Sequence, residues 1–467
     1  MGTGAGRGRS VAMPDPVLLW FRQDLRLEDQ AALTAAAKAG PVIPVYVLDD
    51  ETPGEWRIGG AQRWWLHHSL AALAASLEAA GSRLVLRRGK SADVIAALLE
   101  ETGAGQVHAT RHYEPWWRAA DTALGDRLVL HDGDHLARVE DVRTGSGGQF
   151  RIYASFWKGL QSFLPPGPPL PAPERIAAPD RWPGSDTLAD WALPPTKPDW
   201  STGFNWTPGE AAALAKLDGL AKIVDAYETS RNLPAQEGTS RLSPHLHFGE
   251  ISPRTVWRAT EGRPDSDKFH KELAWRDFTS GVIMQTPDYA EKHGRPKYDA
   301  FPWRTAENAA EDLRAWKRGR TGYPIVDAGM RQLWTTGWMH NRVRMITSSF
   351  VVKHLLIDWR DGERYFWDTL VDADYGNNAV NWQWIAGTGI DANVFSRIMA
   401  PLTQSEKFGA SDYIRRWVPE LRDVPDHAIH DPEAAGVLPD GYPAKIIGHR
   451  EARERALKVN RAAMASA

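Results

Sequence analysis

The sequence predicts two domains: an N-terminal α/β domain with a doubly wound, parallel, five-stranded sheet, and an all-α C-terminal domain. Short apolar runs alternate with helix-like segments up to about residue 130, which is typical of a parallel sheet covered by helices on both faces. Eleven of the 32 prolines lie between Pro165 and Pro198, which indicates a linker because proline lacks the N–H that helices and strands need. Beyond this stretch the apolar residues recur only at helical spacing.

The same observations set the domain boundaries. We expect a leader at residues 1–15, the α/β domain at 16–140, an interdomain linker at 141–205 and the helical domain at 206–467. The length of 467 residues supports two domains, because a single hydrophobic core seldom grows so large. The leader holds two arginines but no apolar core, so it does not resemble a signal peptide.

The α/β domain shows clear strand and helix signals. Apolar runs predict strands at 17–21, 42–48, 83–86, 106–110 and 128–130. Helical spacing predicts helices at 31–38, 62–80, 91–101 and 115–124, with Asp29 and Ser91 as N-caps. The domain has no Gly-x-Gly-x-x-Gly, but we still expect a ligand beyond the carboxyl ends of the strands, near Arg22, Asp49 and Glu114.

In the second domain only helices are predicted. A capping box of Thr207 and Glu210 predicts a helix to residue 220, and Ser243 and Ser252, each followed by proline, predict further helix starts. Helices follow at 268–284, 309–319, 324–335, 338–353 and 363–370.

Composition limits the function classes. The complete lack of cysteine excludes disulfides, thiolate zinc sites and a cysteine nucleophile, and we predict no metal site. No run is long and apolar enough to span a bilayer, so we expect no membrane contact and a cytoplasmic location. The formal charge of −3 argues only weakly against nucleic-acid binding, because a basic face can exist in a near-neutral protein. The 22 tryptophans suit base stacking, flavin packing and electron transfer.

The stretch from Asp372 to Trp384 is unusually polar and aromatic, with two aspartates, three asparagines and two tryptophans in thirteen residues. Asp and Asn favour a helix start, and Asn378, Asn381 and Trp382 then recur at helical spacing. Buried amide and indole groups need hydrogen-bond partners, which a flat polar cofactor would supply. These residues alone leave a second interpretation open, a loop followed by an aromatic core helix.

Three further motifs are ambiguous when considered singly. The hydroxyl residues at 238–244 precede a helix start, which is suited to phosphate but also common as an ordinary cap. Glu272, Trp275 and Arg276 share one predicted helical face, as do Asn341 and Met345. Considered alone, the Glu272 motif is also compatible with a surface ion pair. The motif with Asn341 and Met345 is also compatible with an amphipathic helix whose arginines are solvated.

The combination of motifs is specific. In order, these are WFRQDLR at 20–26, EGTSRLSP at 237–244, WRDF at 275–278, TGYPIVDAGMRQL at 321–333, GWMHNRVRM at 337–345 and the DAD…NWQW stretch at 372–384. This series resembles the photolyase/cryptochrome family from about Val17 to the C-terminal tail. The resemblance implies an α/β antenna domain followed by a helical domain that binds FAD.

The resemblance assigns FAD contacts to matching positions. Asn378 would lie near the flavin N5 atom, and Arg344 would pair with Asp372. The full set of FAD-binding residues that it implies is Tyr227, Thr239, Ser240, Leu242, Ser243, Arg276, Asn341, Arg344, Asp372, Asp374 and Asn378. Trp382, Trp359 and Trp303 are similar to the three-tryptophan relay that carries electrons to photoexcited oxidised flavin.

Within the family, the sequence is most like bacterial photolyases that repair cyclobutane pyrimidine dimers, of class I or class III type. The resemblance makes Glu272, Asn341 and Met345 catalytic and places the flipped-out dimer against Trp275 and Trp384. It implies blue-light-driven electron transfer from reduced FAD to the dimer in UV-damaged DNA. Cryptochrome signalling and (6-4) photoproduct repair are the alternatives, although (6-4) enzymes carry histidines where this chain has Asn341 and Met345.

Further expectations concern DNA, a second chromophore and assembly. Arg231, Arg342 and Arg397 are candidates for contacting DNA phosphates. Glu114 and Lys292 match positions that hold a pterin antenna in relatives, so methenyltetrahydrofolate is favoured over deazaflavin. We expect a monomer.

Overall fold

The N-terminal part of the chain is built around a parallel sheet. The structure is a computed structural model that describes residues 15–392 and 394–465, so nearly all of the predicted leader lies outside the described residues. The strands are β1 Val17–Phe21, β2 Val42–Leu48, β3 Val85–Arg88, β4 Val107–Thr110 and β5 Leu128–His131. They pair in parallel in the order β3-β2-β1-β4-β5, because each strand is followed by a helical crossover.

Helices cover both faces of this sheet. They are α1 Ala31–Ala39, α2 Gly60–Ala79, α3 Ser91–Thr102 and α4 Pro115–Leu124. Side chains alternate along β1, so that Leu19 and Phe21 enter the core under α1 and α2 while Leu18 and Trp20 enter the core under α3 and α4. The doubly wound, five-stranded sheet predicted from the sequence is confirmed.

The proline-rich segment wraps over the α/β domain. Helix α5, Tyr153–Leu160, precedes it, and the segment itself runs mostly without regular structure. Ile176 donates its backbone N–H to the Ala80 carbonyl at 2.9 Å, and Val42 donates to the Ala177 carbonyl at 2.8 Å. Trp191 and Leu193 bury their side chains in the core beside α2. The segment is therefore part of the packed structure of the first domain.

The remaining chain is helical. Its helices are α6 Glu210–Ala215, α7 Leu217–Val224, α8 Tyr227–Ser230, α9 Ser243–His247, α10 Pro253–Thr260, α11 Ser266–Leu273, α12 Trp275–Gln285, α13 Ala310–Lys317, α14 Pro324–Thr336, α15 Asn341–Ser349, α16 Trp359–Thr369, α17 Tyr375–Ala386, α18 Pro401–Lys407, α19 Ser411–Trp417, α20 Asp426–Ile429 and α21 His449–Ala465. Helix α17, which carries the polar and aromatic stretch, packs against α12, α15 and α16. It therefore lies at the centre of the domain.

Several predicted helix starts are wrong because the capping side chains have other partners. Gln30, not Asp29, caps α1 and accepts from Ala32 N–H at 3.1 Å. Asp29 has a φ of +50° and accepts instead from Leu170 N–H at 2.9 Å. Ser91 is the first residue of α3 and not its cap. A sequence pattern does not show which of two neighbouring polar residues turns towards the helix.

The predicted capping box is also wrong. Gly209 precedes α6, and the Glu210 carboxylate crosses to the other domain, where it accepts from the N–H groups of Leu27 and Glu28 at 3.0 and 2.7 Å. The predicted helix at 268–284 is divided at Ala274 into α11 and α12. The helix predicted at 338–353 starts at Asn341 and ends in a π-helical segment, Phe350–His354. Ser252 does cap α10, by accepting from Thr255 N–H at 3.0 Å.

Candidate functional site

The helical domain contains a cavity with two connected compartments of about 490 and 320 Å³. The two compartments share a wall. The shared residues are Arg231, Glu272, Trp275, Asn341, Arg344, Asp372, Asp374, Asn377 and Asn381. A ligand can therefore extend through both compartments, and a second ligand can meet it at the shared wall.

The smaller compartment is lined with hydroxyl groups at the start of α9. Thr239, Ser240, Leu242 and Ser243 all border it, with Tyr227 and Arg276 opposite. The Ser243 hydroxyl oxygen accepts from the Trp338 indole N–H at 3.3 Å, and the Ser240 hydroxyl oxygen accepts from Leu242 N–H at 3.3 Å. The predicted phosphate-type surface at 238–244 therefore faces an internal cavity.

The shared wall carries the acidic start of α17. Arg344 donates to Asp372 Oδ2 at 2.8 Å, which is the predicted pair, and the other oxygen of Asp372 is buried without a partner among the described residues. Asp374 caps α17 by accepting from Asn377 N–H at 2.6 Å. The Asn378 side-chain amide donates to the Glu363 carbonyl at 3.1 Å, which fixes its orientation. Asp372 thus borders both compartments of the cavity while one of its oxygens is buried without a partner among the described residues.

Arg276 joins the smaller compartment to the α/β domain. Its guanidinium donates to the Asp134 carboxylate, at 3.1 and 3.2 Å, and to the Leu246 carbonyl at 3.1 Å. Burial raises the pKa of Asp134 to about 6, although Arg276 and Arg26 oppose this shift. The predicted ligand-binding position of Arg276 is therefore held in place by a residue of the other domain.

The larger compartment brings together the residues that the resemblance makes catalytic. Glu272, Asn341 and Met345 line it, the last two from one face of α15, and Trp275 and Trp384 form parts of its wall. Both tryptophans are half-buried and so have surface left for a ligand. The motifs that were ambiguous singly therefore face one internal space, and neither of the alternative interpretations, an isolated surface ion pair or a solvated helix face, describes it.

The predicted DNA-contacting arginines occupy three different environments. Arg231 lines the cavity and forms an ion pair with Glu272, whose Oε1 also lies 3.5 Å from Lys268 Nζ. Arg342 also lines the cavity and donates to Asn232 Oδ1 at 2.5 Å. Arg397 is exposed and lies outside the residues that border the cavity, and its backbone carbonyl accepts from Lys353 at 2.8 Å.

The three predicted relay tryptophans lie in or beside one aromatic core. Trp382 lines the larger compartment and packs on Gly362 in α16. Trp359 is fully buried and begins α16. An isolated parallel bridge pairs Arg304, which follows Trp303, with Ile357, which lies two residues before Trp359. Trp303 is only half-buried. Trp316 also approaches Trp382, edge-on, with ring centroids 6.4 Å apart.

The residues expected to hold an antenna differ in exposure. Glu114 is buried, its Oε2 accepts from Tyr113 N–H at 3.1 Å, and burial together with the Asp374 charge raises the pKa of Glu114 to about 8. Lys292 is exposed and forms an ion pair with Asp288. Arg22 and Asp49, at the same end of the sheet, are engaged with Asp121 and with the Thr52 and Ser91 backbone.

Sequence reasoning assigned no role to several residues that border the cavity, among them Tyr153, His247 and Asn377. Asn377 could have been found from the helical spacing of α17, since it lies one turn before Asn381. Tyr153 could not, because it lies in the segment predicted to be a linker.

The part of the chain that the structure describes has neither a membrane-spanning helix nor a metal-binding cluster of side chains. No helix in residues 15–392 and 394–465 is both long and apolar enough to cross a membrane. Within the same ranges, no group of three or more His, Asp or Glu side chains is arranged to hold a metal ion.

Comparisons with known proteins agree with this architecture. The family model described as DNA photolyase matches residues 17–174, and the one described as the FAD binding domain of DNA photolyase matches residues 269–462. The chain belongs to the photolyase/cryptochrome family. It is 49% identical to the deoxyribodipyrimidine photo-lyase of Agrobacterium fabrum, over 95% of this chain and 97% of that protein.

Other relatives span both branches of the family. A class III photolyase from Agrobacterium tumefaciens has a crystal structure that superposes with a TM-score of 0.91 at 47% identity, covering 97% of this chain and 99% of that one. Cryptochrome-1 of Arabidopsis thaliana is 37% identical over 94% of this chain and 69% of that protein. Among these relatives, the similarity is higher to the photolyases.

Proposed function

We propose that the protein is a deoxyribodipyrimidine photolyase, an enzyme that uses blue light to repair cyclobutane pyrimidine dimers in DNA. The observation that carries this proposal is the larger compartment, where Glu272, Asn341, Met345, Trp275 and Trp384 face one space next to the acidic start of α17. The relatives with the same function in their names match almost the whole chain.

The cavity fits FAD in both halves. In the smaller compartment, Thr239, Ser240 and Ser243 present hydroxyl groups to the pyrophosphate, and Tyr227 borders the space for the adenine side. At the shared wall, Asp372 would accept a hydrogen bond from the flavin ring while Arg344 holds its carboxylate through Oδ2. Asn378, which borders the larger compartment, would lie near N5. Leu242, Arg276, Asn341 and Asp374 complete the binding surface.

The protein binds and orients the cofactor and the substrate, and the cofactor supplies the redox chemistry. When bound in reduced form, FAD absorbs blue light and provides the electron that opens the cyclobutane ring and is then returned. Asn341 borders both compartments, and Met345, one helical turn later on the same helix, borders the larger one. This arrangement supports direct contact between the dimer and the cofactor, which short-range electron transfer requires.

Two tryptophans hold the lesion. Trp275 and Trp384 offer aromatic surface to the two bases of a flipped-out dimer, and stacking contributes on the order of 1–3 kcal/mol per base. Extruding a damaged pair costs less than extruding an intact one, which favours lesions over normal DNA. Arg342 and the exposed Arg397 are placed to contact phosphates, so affinity depends on salt.

Glu272 has two cationic neighbours at the border of the lesion space. Arg231 and Lys268 both approach its Oε1, which leaves Oε2 to accept a hydrogen bond from a pyrimidine N–H. The ion pair also gives Arg231 a second role beside phosphate contact, namely to hold Glu272. When the dimer enters, Arg231 must stay paired with Glu272 or another group must take its place. Removing Arg231 would leave Glu272 with the more distant Lys268 alone.

Photoreduction of oxidised FAD uses the tryptophan relay. Trp382 touches the larger compartment, Trp359 lies in the core and the half-buried Trp303 lies nearer the surface, which supports a path of electrons from the outside to the flavin. We also propose that the second chromophore is methenyltetrahydrofolate, held through Glu114 and Lys292. Release of the chromophores from purified protein, followed by absorption and mass spectra, distinguishes a folate from a deazaflavin.

A second candidate function is photoreception without repair, which the 37% identity to a cryptochrome over 94% of the chain favours. We further propose that the protein is cytoplasmic and monomeric. Light scattering during size-exclusion chromatography tests the monomeric state. (6-4) repair has no comparable support, because asparagine and methionine occupy positions 341 and 345.

Repair is tested with the reduced protein and a dimer-containing oligothymidine under blue light. Recovery of thymine absorbance well above a dark control supports the photolyase. Flavin photoreduction without any recovery supports the photoreceptor instead. A second substrate that carries a (6-4) photoproduct, which should remain unchanged, separates the two repair branches.

A further inference from the structure

One face of the Trp275 indole is already covered by another aromatic ring. The Tyr153 phenol lies parallel to it, with ring centroids 3.9 Å apart and an interplanar angle of 7°. Phe278 meets Trp275 edge-on at 5.5 Å. A base that stacks on Trp275 must therefore use its other face, and the base, the indole and the phenol would form one continuous stack.

Tyr153 is tied to three separate parts of the chain. It begins α5 in the segment between the domains, and its backbone N–H donates to Asp391 Oδ2 at 3.0 Å. Its phenol hydroxyl donates to the backbone carbonyl of Lys271, one residue before Glu272. Its ring packs on Trp275. These anchors fix the plane of the phenol and, through it, the plane of the half-buried indole.

Tyr153 also borders the lesion space itself. It lines the larger compartment together with Glu272 and Trp275. Burial and the negative charge of Glu272 raise the pKa of the Tyr153 phenol, so the hydroxyl stays protonated and keeps its hydrogen bond across the working pH range.

We propose that Tyr153 is a positioning residue for lesion recognition: it holds the Trp275 indole in the orientation that stacks on the flipped-out dimer. This inference rests on the proposed function. It makes the interdomain segment part of the substrate site, whereas FAD binding and electron transfer do not depend on it.

The test compares Tyr153→Leu, which removes the ring, with Tyr153→Phe, which keeps the ring and loses only the hydroxyl. Kd is measured for a dimer-containing oligonucleotide and for its undamaged counterpart. We expect Tyr153→Leu to weaken dimer binding about threefold to tenfold, the range of one aromatic pair, with undamaged binding unchanged. Tyr153→Phe should bind the dimer within about twofold of the unaltered protein.

A double variant shows whether Tyr153 acts through Trp275. In a Trp275→Leu background, adding Tyr153→Leu should cause no further loss of dimer affinity, because there is no indole left to position. The repair rate of the reduced protein at saturating dimer and the FAD content should stay unchanged in Tyr153→Leu. Phe163→Leu, an exposed aromatic of the same segment, is the matched control and should behave as the unaltered protein.

The outcomes separate this inference from the proposed function. If the unaltered protein does not prefer dimer-containing DNA, the proposed function fails. If it does and Tyr153→Leu binds the dimer equally well, only the role of Tyr153 is overturned. An equal loss for damaged and undamaged DNA, a loss of FAD, a defect in Tyr153→Phe as large as in Tyr153→Leu, or additive losses in the double variant would also overturn it.

Discussion

The Arg344–Asp372 pair makes a sharp prediction, because its two members differ in burial. The Asp372 side chain is 3% exposed and the Arg344 side chain 23%, with 2.8 Å between Arg344 Nη2 and Asp372 Oδ2. Arg344→Met leaves a buried carboxylate without its cation, which costs about 3 kcal/mol of unfolding free energy, the lower end for a broken buried pair. Asp372→Asn leaves Arg344 partly solvated and still bonded to the Met339 carbonyl at 2.7 Å, and costs about 1 kcal/mol.

The order of the two variants should reverse for cofactor binding. Asp372 borders both compartments and is the proposed acceptor for the flavin ring, so Asp372→Asn should lower FAD content more than Arg344→Met does. Stability is measured by urea denaturation of FAD-free protein, and FAD content by absorbance after purification. Arg364→Met, which breaks an exposed pair with Glu55 at 3.1 Å, is the matched control and should cost under about 1 kcal/mol. Equal or greater destabilisation by Asp372→Asn would refute the reasoning.

Three further predictions concern light, salt and pH. Trp382→Phe should abolish photoreduction of oxidised flavin while pre-reduced protein still repairs dimers, and unchanged photoreduction kinetics would remove Trp382 from the relay. Arg397→Ala should weaken damaged and undamaged DNA alike and reduce the slope of log K against log salt by about 1, as for the loss of one phosphate contact; an effect confined to damaged DNA would contradict this role. Burial lowers the pKa of His354 to about 3, so on acidification the unfolded state binds a proton at this histidine before the folded state does. The free energy of unfolding therefore falls as the pH drops below about 6.5, and this group accounts for roughly 2 kcal/mol of the loss at pH 5. Denaturation at pH 7 and pH 5 should therefore show a smaller loss in His354→Gln, and an equal loss in both proteins would exclude this histidine as the cause.

Much of the architecture could be predicted because it depends on local chemistry. The apolar runs of β1 and β2 and the helical spacing of α4 and α14 define elements whose bounds the structure matches within a residue or two. Asp374 caps α17, as the Asp- and Asn-rich start suggested, because a short acceptor side chain there meets free backbone N–H groups. Each residue that the motifs led us to expect at FAD borders the cavity.

Other features depended on contacts between distant parts of the chain. The sequence suggested that Glu210 would serve its own helix, but it binds the backbone of residues 27 and 28 in the other domain. Glu272 and Arg276 are four residues apart, yet each finds its ion partner elsewhere, in Arg231 and Asp134. A charged side chain pairs with whatever the tertiary fold brings near, and spacing along one helix does not reveal that partner.

By itself the sequence determined the two kinds of domain, the order of their elements and the residue types that a flavin and a stacked base require. Only the tertiary structure decided that these residues face one cavity, that Asp372 keeps one oxygen unpartnered, and that Tyr153 covers a face of Trp275 from a segment with no predictive signal. The physical reason is that periodicity reports which side of an element is buried. What lies opposite that side is set by packing between residues more than a hundred positions apart.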